Sequence, residues 1–195
     1  MSEFQLYLLT GFDHISDLKG YDHILFIMAL CAVYQLKDWK KLLILVTAFT
    51  IGHSVTLALA TLKIVGVNSA FIEFLIPITI FFTCFLNFLR KEENDSQKQN
   101  ETVRYFFAVF FGLIHGLGFS NFLIALLGQE ENIATPLFAF NIGLELGQLV
   151  IVTATLLLSF LLISVFRARQ RDWNLILSGA VAGISLTLIA EKWIF

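Results

Sequence analysis

Residues 105–127 read YFFAVFFGLIHGLGFSNFLIALL, an apolar run with His115 near its centre. A helix needs about 20 consecutive apolar residues to cross a bilayer, and this run is long enough to do so. Ionisable side chains are costly to bury at membrane depth and usually mark a functional site. The stretch therefore predicts a transmembrane helix that carries part of a buried polar site.

The composition extends this prediction to the whole chain of 195 residues. Hydrophobic residues make up 57% and charged residues 14%, and the mean hydropathy is +0.80. Soluble domains are about 45–50% apolar and about 25% charged, so a membrane protein is expected, with the lipid bilayer as its surroundings. A net charge of −2 argues against a nucleic-acid partner.

Similar apolar runs divide the chain into six predicted spans. They cover residues 21–36, 42–62, 70–89, 105–127, 136–166 and 173–195, with a polar cytoplasmic loop at 90–104. The runs are continuously apolar, without the period-two alternation of barrel strands. The expected fold is an all-α membrane protein with a single domain over 1–195. It is a bundle of about six transmembrane helices, preceded by a short interfacial or re-entrant N-terminal segment.

Basic residues lie mostly in one set of loops. The loops after the first, third and fifth spans carry Lys37, Lys40, Lys41, Arg90, Lys91, Lys98, Arg104, Arg167, Arg169 and Arg171, and the other side carries Lys19, Lys63 and Lys192. Loops rich in Lys and Arg remain in the cytoplasm. Both termini are therefore expected on the non-cytoplasmic side.

Polar residues within two spans are spaced so that each set shares one helical face. The second span carries Thr47, Thr50 and Ser54 at i, i+3 and i+7, with His53 at the border of this face. The fifth span carries Asn141, Glu145 and Gln148 at i, i+4 and i+7.

At 1.5 Å per residue, His53, His115 and Glu145 are expected at a similar depth near the midplane. Asp22 and His23 are expected above them, at the outer entrance of the first span. Histidine and carboxylate suit divalent transition metals, and imidazole binds in its neutral form. These five residues are the main candidate ligands. His14, Asp17, Asn141 and Gln148 are weaker candidates.

Glycines also recur at small-xxx-small spacing in three helices, at Gly112/Gly116, Gly143/Gly147 and Gly179/Gly183. Such pairs let helices approach closely in lipid. They predict helix-packing surfaces, and they make a homo-oligomer possible.

Four of these stretches together resemble the HupE/UreJ family of bacterial membrane proteins. They are GYDHILF at 20–26, FTIGHSVTL at 49–57, FGLIHGLGF at 111–119 and FNIGLELGQ at 140–148. The resemblance implies a small multi-pass protein of the bacterial inner membrane that handles nickel or another divalent metal, with some members linked to hydrogenase or urease maturation. It points to Asp22, His23, His53, His115 and Glu145. The segment DHISDLKGYDH at 13–23 departs from the family's usual His-Pro-x-x-Gly opening, which keeps His14 and Asp17 the weaker candidates.

Three functions are compatible with this sequence. The favoured hypothesis is a permease or facilitator for a divalent transition metal, possibly Ni²⁺, with an outer Asp/His cluster and a midplane His/His/Glu site. The alternative is an intramembrane zinc-type hydrolase, in which the same residues bind the metal and Glu145 is the general base. A non-catalytic scaffold or sensor is the third. A transporter is favoured over an enzyme, so no catalytic residue is assigned.

Overall fold

The computed structural model describes residues 1–66, 68–90, 97–127 and 133–194, with backbone alone at 97–100. Within these ranges the chain is helical and contains no strand. The α-helices are α1 (Glu3–Ser16), α2 (Asp22–Cys31), α3 (Trp39–Thr61), α4 (Ser69–Phe88), α5 (Gln97–Leu127), α6 (Ala134–Phe160) and α7 (Gln170–Glu191). A 3₁₀ turn (Leu36–Asp38) precedes α3, and a π-helical turn (Leu161–Val165) continues α6.

Five helical stretches are long and apolar enough to cross a membrane. They are Leu36–Thr61, Ser69–Phe88, Glu101–Leu127, Ala134–Val165 and Gln170–Glu191. The expectation of an all-helical, multi-pass membrane protein is confirmed. These five correspond to the predicted second to sixth spans.

The predicted first span at 21–36 is not confirmed as a complete crossing. Helix α2 has 10 residues and is about 15 Å long, half of what a crossing needs. Its last carbonyls are satisfied by side chains from other helices. Asn87 Nδ2 donates to the Ala29 carbonyl at 2.8 Å, and Gln170 Nε2 donates to the Ala32 carbonyl at 3.2 Å. Helix α2 can therefore end inside the bundle with side-chain partners for two of the carbonyl groups at its end.

The N-terminal segment, expected to be interfacial or re-entrant, is helix α1, which packs along α6. A Cβ atom added at Gly11 would lie 2.1 Å from the Phe140 carbonyl oxygen, and one at Gly143 would lie 2.0 Å from that of Leu8. Only glycine allows backbones to approach this closely. Because Leu8 faces Gly143 and Ile15 faces Gly147, the two helices run in the same direction.

Helices α1 and α2 together contain enough residues for the length of one crossing. Helix α1 follows α6 from its start, residues 17–21 interrupt the helix, and α2 continues to the place where Asn87 and Gln170 lie. Their 14 and 10 residues add up to roughly 36 Å, against about 30 Å for the hydrocarbon core. The interruption lies between His14 and His23.

Helices α3 and α5 form the second close pair. Added Cβ atoms at Gly52, Gly112 and Gly116 would lie 2.1 to 2.3 Å from carbonyl oxygens of the partner helix. The pairs Gly112/Gly116 and Gly143/Gly147 are thus packing surfaces, as the sequence predicts. Gly179 and Gly183 on α7 have nothing within 4 Å of an added Cβ, so they pack against no other helix of the described chain.

Three helices end or begin at the same end of the bundle, and we call this the basic end. The end of α2, the start of α5 and the start of α7 are joined there through Tyr34–Glu101 and Gln170–Ala32 hydrogen bonds. Lys41, Arg90 and Arg104 lie at the same end.

Candidate metal centre

Three histidines from three helices converge at the interruption between α1 and α2. They are His14 near the end of α1, His23 in the first turn of α2, and His53 in α3. One ring nitrogen from each lies within 4.8 Å of the other two. Two nitrogen ligands of one ion are at most about 4.2 Å apart, at about 2.1 Å from the metal. The three rings would therefore have to rotate toward one another to bind a single ion.

The nitrogens of this cluster are buried without hydrogen-bond partners among the described residues. They are His14 Nε2, His23 Nε2 and both ring nitrogens of His53. His53 is fully buried and His23 is 4% exposed. Buried polar atoms are nearly always paired, because an unpaired one costs desolvation energy without compensation. A bound cation would supply the missing partner for all three rings.

Asp22 contacts the ring of His23. Its Oδ1 lies 3.1 Å from His23 Nδ1 and also accepts a hydrogen bond from the His23 backbone N–H at 2.9 Å. With Nδ1 donating to the carboxylate, Nε2 is left as the metal-binding atom. Metal-bound histidines are commonly oriented by a carboxylate in this way. The structure thus places Asp22 behind a candidate ligand.

His115 is a fourth imidazole beside the cluster. Its ring centroid lies 5.0 Å from that of His23, and its Nε2 lies 2.9 Å from Thr79 Oγ1. Its Nδ1 is buried without a partner in the part of the chain that the structure describes. The rings of Phe26 and Phe49 pack against it, with centroids at 5.1 and 5.2 Å. The aromatic packing keeps water away from this side of the centre.

The polar face of α3 meets the polar face of α6, residue by residue. The Thr47 hydroxyl donates to Glu145 Oε1 at 2.6 Å, the Thr50 hydroxyl donates to Gln148 Oε1 at 2.9 Å, and the Ser54 hydroxyl donates to Asn141 Oδ1 at 2.6 Å. We call this row of hydrogen bonds the α3–α6 seam. Glu145 is half-buried there and is not one of the residues that approach within 4.8 Å of one another.

Asp17 lies in the interruption between α1 and α2. Its side chain is exposed, and its Oδ1 accepts a hydrogen bond from the Lys19 backbone N–H at 2.8 Å. Like Glu145, it is not part of the three-histidine cluster. Its hydrogen bond to the Lys19 backbone stabilises the turn that leads from His14 to His23.

The histidines of the two predicted levels, the outer cluster and the midplane site, lie side by side in the structure, whereas Glu145 is not among them. His14 and His23 lie beside His53, with ring centroids 5.8 and 6.0 Å from it. The reason is the glycine contact between α1 and α6, which draws the N-terminal helix into the bundle. The sequence carried a signal for this, because the buried residues Tyr7, Gly11 and Ile15 recur at i, i+4 and i+8.

Comparison with known protein families identifies the family of this chain. The profile described as HupE / UreJ protein matches residues 1–195, the whole chain. The chain belongs to the HupE/UreJ family. This family is associated with the transport of nickel and other metals. Comparison of the HupE/UreJ chain with curated proteins and with solved structures found no significant match.

Proposed function

We propose that this HupE/UreJ protein is a permease or facilitator for a divalent transition metal, with Ni²⁺ as the favoured substrate. The observation that carries the proposal is the cluster of His14, His23 and His53. Their nitrogens lie within 4.8 Å of one another, and they are buried without partners in the described part of the chain. Imidazole nitrogens suit nickel, cobalt, copper and zinc, whereas magnesium and calcium prefer oxygen.

Each residue has a distinct role in this proposal. His14, His23 and His53 bind the ion in their neutral form, and Asp22 holds His23 with Nε2 toward it. His115 is the next group inward, because its ring neighbours that of His23 and its Nδ1 has no hydrogen-bond partner among the described residues. Nothing in the sequence resembles an ATPase, so the ion moves down a gradient or is trapped after entry.

The broken pass formed by α1 and α2 supports transport. Transporters commonly build their substrate sites where a membrane helix is interrupted. Here residues 17–21 interrupt the pass next to His14 and His23, and this segment includes the exposed side chains of Lys19 and Tyr21. We assign the side on which α1 and α6 begin to the entrance and the basic end to the cytoplasm, in the bacterial inner membrane.

Metal accumulation in cells tests the proposal. Cells that express the wild type should take up more radioactive Ni²⁺ than cells that express His53→Ala or His23→Ala at equal protein levels. Ser185→Ala is the matched control, because this buried serine bonds within its own helix α7. Equal uptake by wild type and both histidine variants would overturn the proposal.

An intramembrane zinc hydrolase is the second candidate, since three histidines with an open position also describe catalytic zinc sites. Its proposed general base, Glu145, accepts a hydrogen bond from Thr47 and lies outside the three-histidine cluster. A hydrolase would retain one zinc ion per chain through purification, whereas the ion of a permease exchanges readily. Elemental analysis after dialysis separates the two.

A further inference from the structure

A buried line of polar side chains leads away from the metal centre along α4. Thr79, Thr83 and Asn87 are spaced i, i+4 and i+8 in the part of α4 that follows Glu73 and is otherwise apolar, and they are 4%, 5% and 0% exposed. Thr79 contacts His115, and the Thr83 hydroxyl donates to the Thr79 carbonyl at 2.8 Å. Eight residues correspond to about 12 Å. The line therefore connects the inner side of the metal centre with the basic end.

Asn87, at the end of this line, is bonded on every side. Its Nδ2 donates to the Ala29 carbonyl at 2.8 Å and to Ser178 Oγ at 3.1 Å. Its Oδ1 accepts hydrogen bonds from both terminal nitrogens of Arg104, at 3.3 and 3.4 Å. Helices α2, α4, α5 and α7 thus meet at one amide, and a guanidinium group lies against it.

The nearest carboxylate on the same helix as Arg104 is held by other partners. Glu101, 8% exposed, accepts a hydrogen bond from the Tyr34 hydroxyl at 2.5 Å, and Lys41 Nζ lies 3.9 Å from it. Burial raises the pKa of Tyr34, and the hydrogen bond to Glu101 raises it further although Arg104 opposes this, so the hydroxyl remains a donor. Glu101 precedes Arg104 by three residues, a spacing at which opposite charges can pair.

The arrangement disfavours a cation at the end of the line in two ways. The oxygens that could coordinate it already accept hydrogen bonds and so have fewer lone pairs left: Ala29 from Asn87, Asn87 from Arg104, and Glu101 from Tyr34. The positive guanidinium group of Arg104 also repels a divalent ion in a poorly solvated place. A single arginine in a narrow route is an established kind of barrier to cations.

We propose that Arg104 is the gate of this permease at the basic end. Bonded to Asn87, it closes the route from His115. When its guanidinium group turns away from Asn87 and pairs with Glu101, one helical turn earlier, it frees the Asn87 oxygen and opens the route. This inference rests on the proposed transport function, and its tests separate the two.

The first test measures Ni²⁺ influx into proteoliposomes that contain the full-length protein and a metal-sensitive dye. Arg104→Gln removes the charge and should increase downhill influx several-fold, without weakening Ni²⁺ binding at the histidines. Arg104→Lys retains the charge and should keep the rate near that of the wild type. Arg171→Gln is the matched control, because Arg171 is exposed at the start of α7. An unchanged rate in folded Arg104→Gln would overturn the gate.

The second test needs no metal. Thr83→Cys, in a background with Cys31 and Cys84 replaced by alanine, reports on access to the polar line from the basic end. A water-soluble thiol reagent applied from that side should label it slowly with Arg104 present and several-fold faster with Arg104→Gln. Equal labelling rates would overturn the gate even in a working nickel permease. Faster labelling without any metal flux would preserve the gate and reject the transport function.

Discussion

Asp22 Oδ1 and His23 Nδ1 lie 3.1 Å apart, and this contact determines which nitrogen of the His23 ring faces the metal centre. Both residues belong to the first turn of α2, directly after the interruption of the pass. The carboxylate thus orients the imidazole and makes it a stronger ligand.

Replacing Asp22 by asparagine should weaken metal binding while the three-histidine cluster remains. Loss of such an orienting carboxylate typically lowers metal affinity about 10- to 100-fold. Titration of the purified protein with Ni²⁺ measures the change. Asp13→Asn, at an exposed position of α1, is the control and should bind as the wild type does. If Asp22→Asn and Asp13→Asn bound Ni²⁺ with equal affinity, Asp22 would have no role in metal binding.

Replacing Glu145 by glutamine should leave Ni²⁺ affinity essentially unchanged. Glutamine retains an oxygen that can accept the hydrogen bond from Thr47, and hydrogen bonds between membrane helices contribute only about 0.6 kcal/mol on average. The same titration, together with thermal unfolding, tests this. A loss of affinity above about tenfold, or roughly 1.4 kcal/mol, would instead support Glu145 as a ligand.

Replacing Gly52 by alanine should destabilise the protein by about 1–3 kcal/mol, as overpacking generally does. The added methyl group would lie 2.1 Å from the Val109 carbonyl oxygen and would force α3 away from α5. Gly179→Ala is the matched control and should be neutral or stabilising, because nothing lies near its added Cβ and alanine favours the helix. Thermal unfolding in detergent compares the two. Similar melting temperatures would contradict the close packing.

A reporter fused to either terminus should show that both termini lie outside the cytoplasm. Five long helices alone would put the termini on opposite sides, whereas a sixth crossing formed by α1 and α2 would put them on the same side. Alkaline phosphatase, which is active only outside the cytoplasm, is the reporter, and a fusion in the polar loop near Arg90 is the inactive control. Activity at only one terminus would show that α1 and α2 do not cross together.

Much of the fold could be predicted from sequence, because long apolar runs leave few alternatives in a bilayer. The polar faces were also predictable. The spacing of Thr47, Thr50 and Ser54 on one helix, and of Asn141, Glu145 and Gln148 on the other, anticipates two polar surfaces. That these surfaces bond to each other depends on how the helices pack, which spacing within one helix does not determine.

The role of His14 was harder to predict for a physical reason. A short amphipathic segment with acids on both sides suits a membrane interface, and periodicity alone does not show that it packs inside the bundle. The deciding contacts are backbone approaches at Gly11 and Gly143, which involve residues far apart in sequence. The same limit applies to α2, whose end depends on Asn87 and Gln170 from later helices.

The glycine contacts have a mechanical consequence. The backbones of α3 and α5 are in contact, and so are those of α1 and α6. The two helices of each pair therefore cannot slide past each other without atomic overlap. Between the pairs lies the α3–α6 seam, whose hydroxyl donors can rotate and exchange acceptors at little cost. Because His53 belongs to one pair and His14 to the other, relative motion along the seam stretches or compresses the metal centre. The protein thus consists of two rigid helix pairs joined by an adjustable interface, with the three-histidine cluster between them.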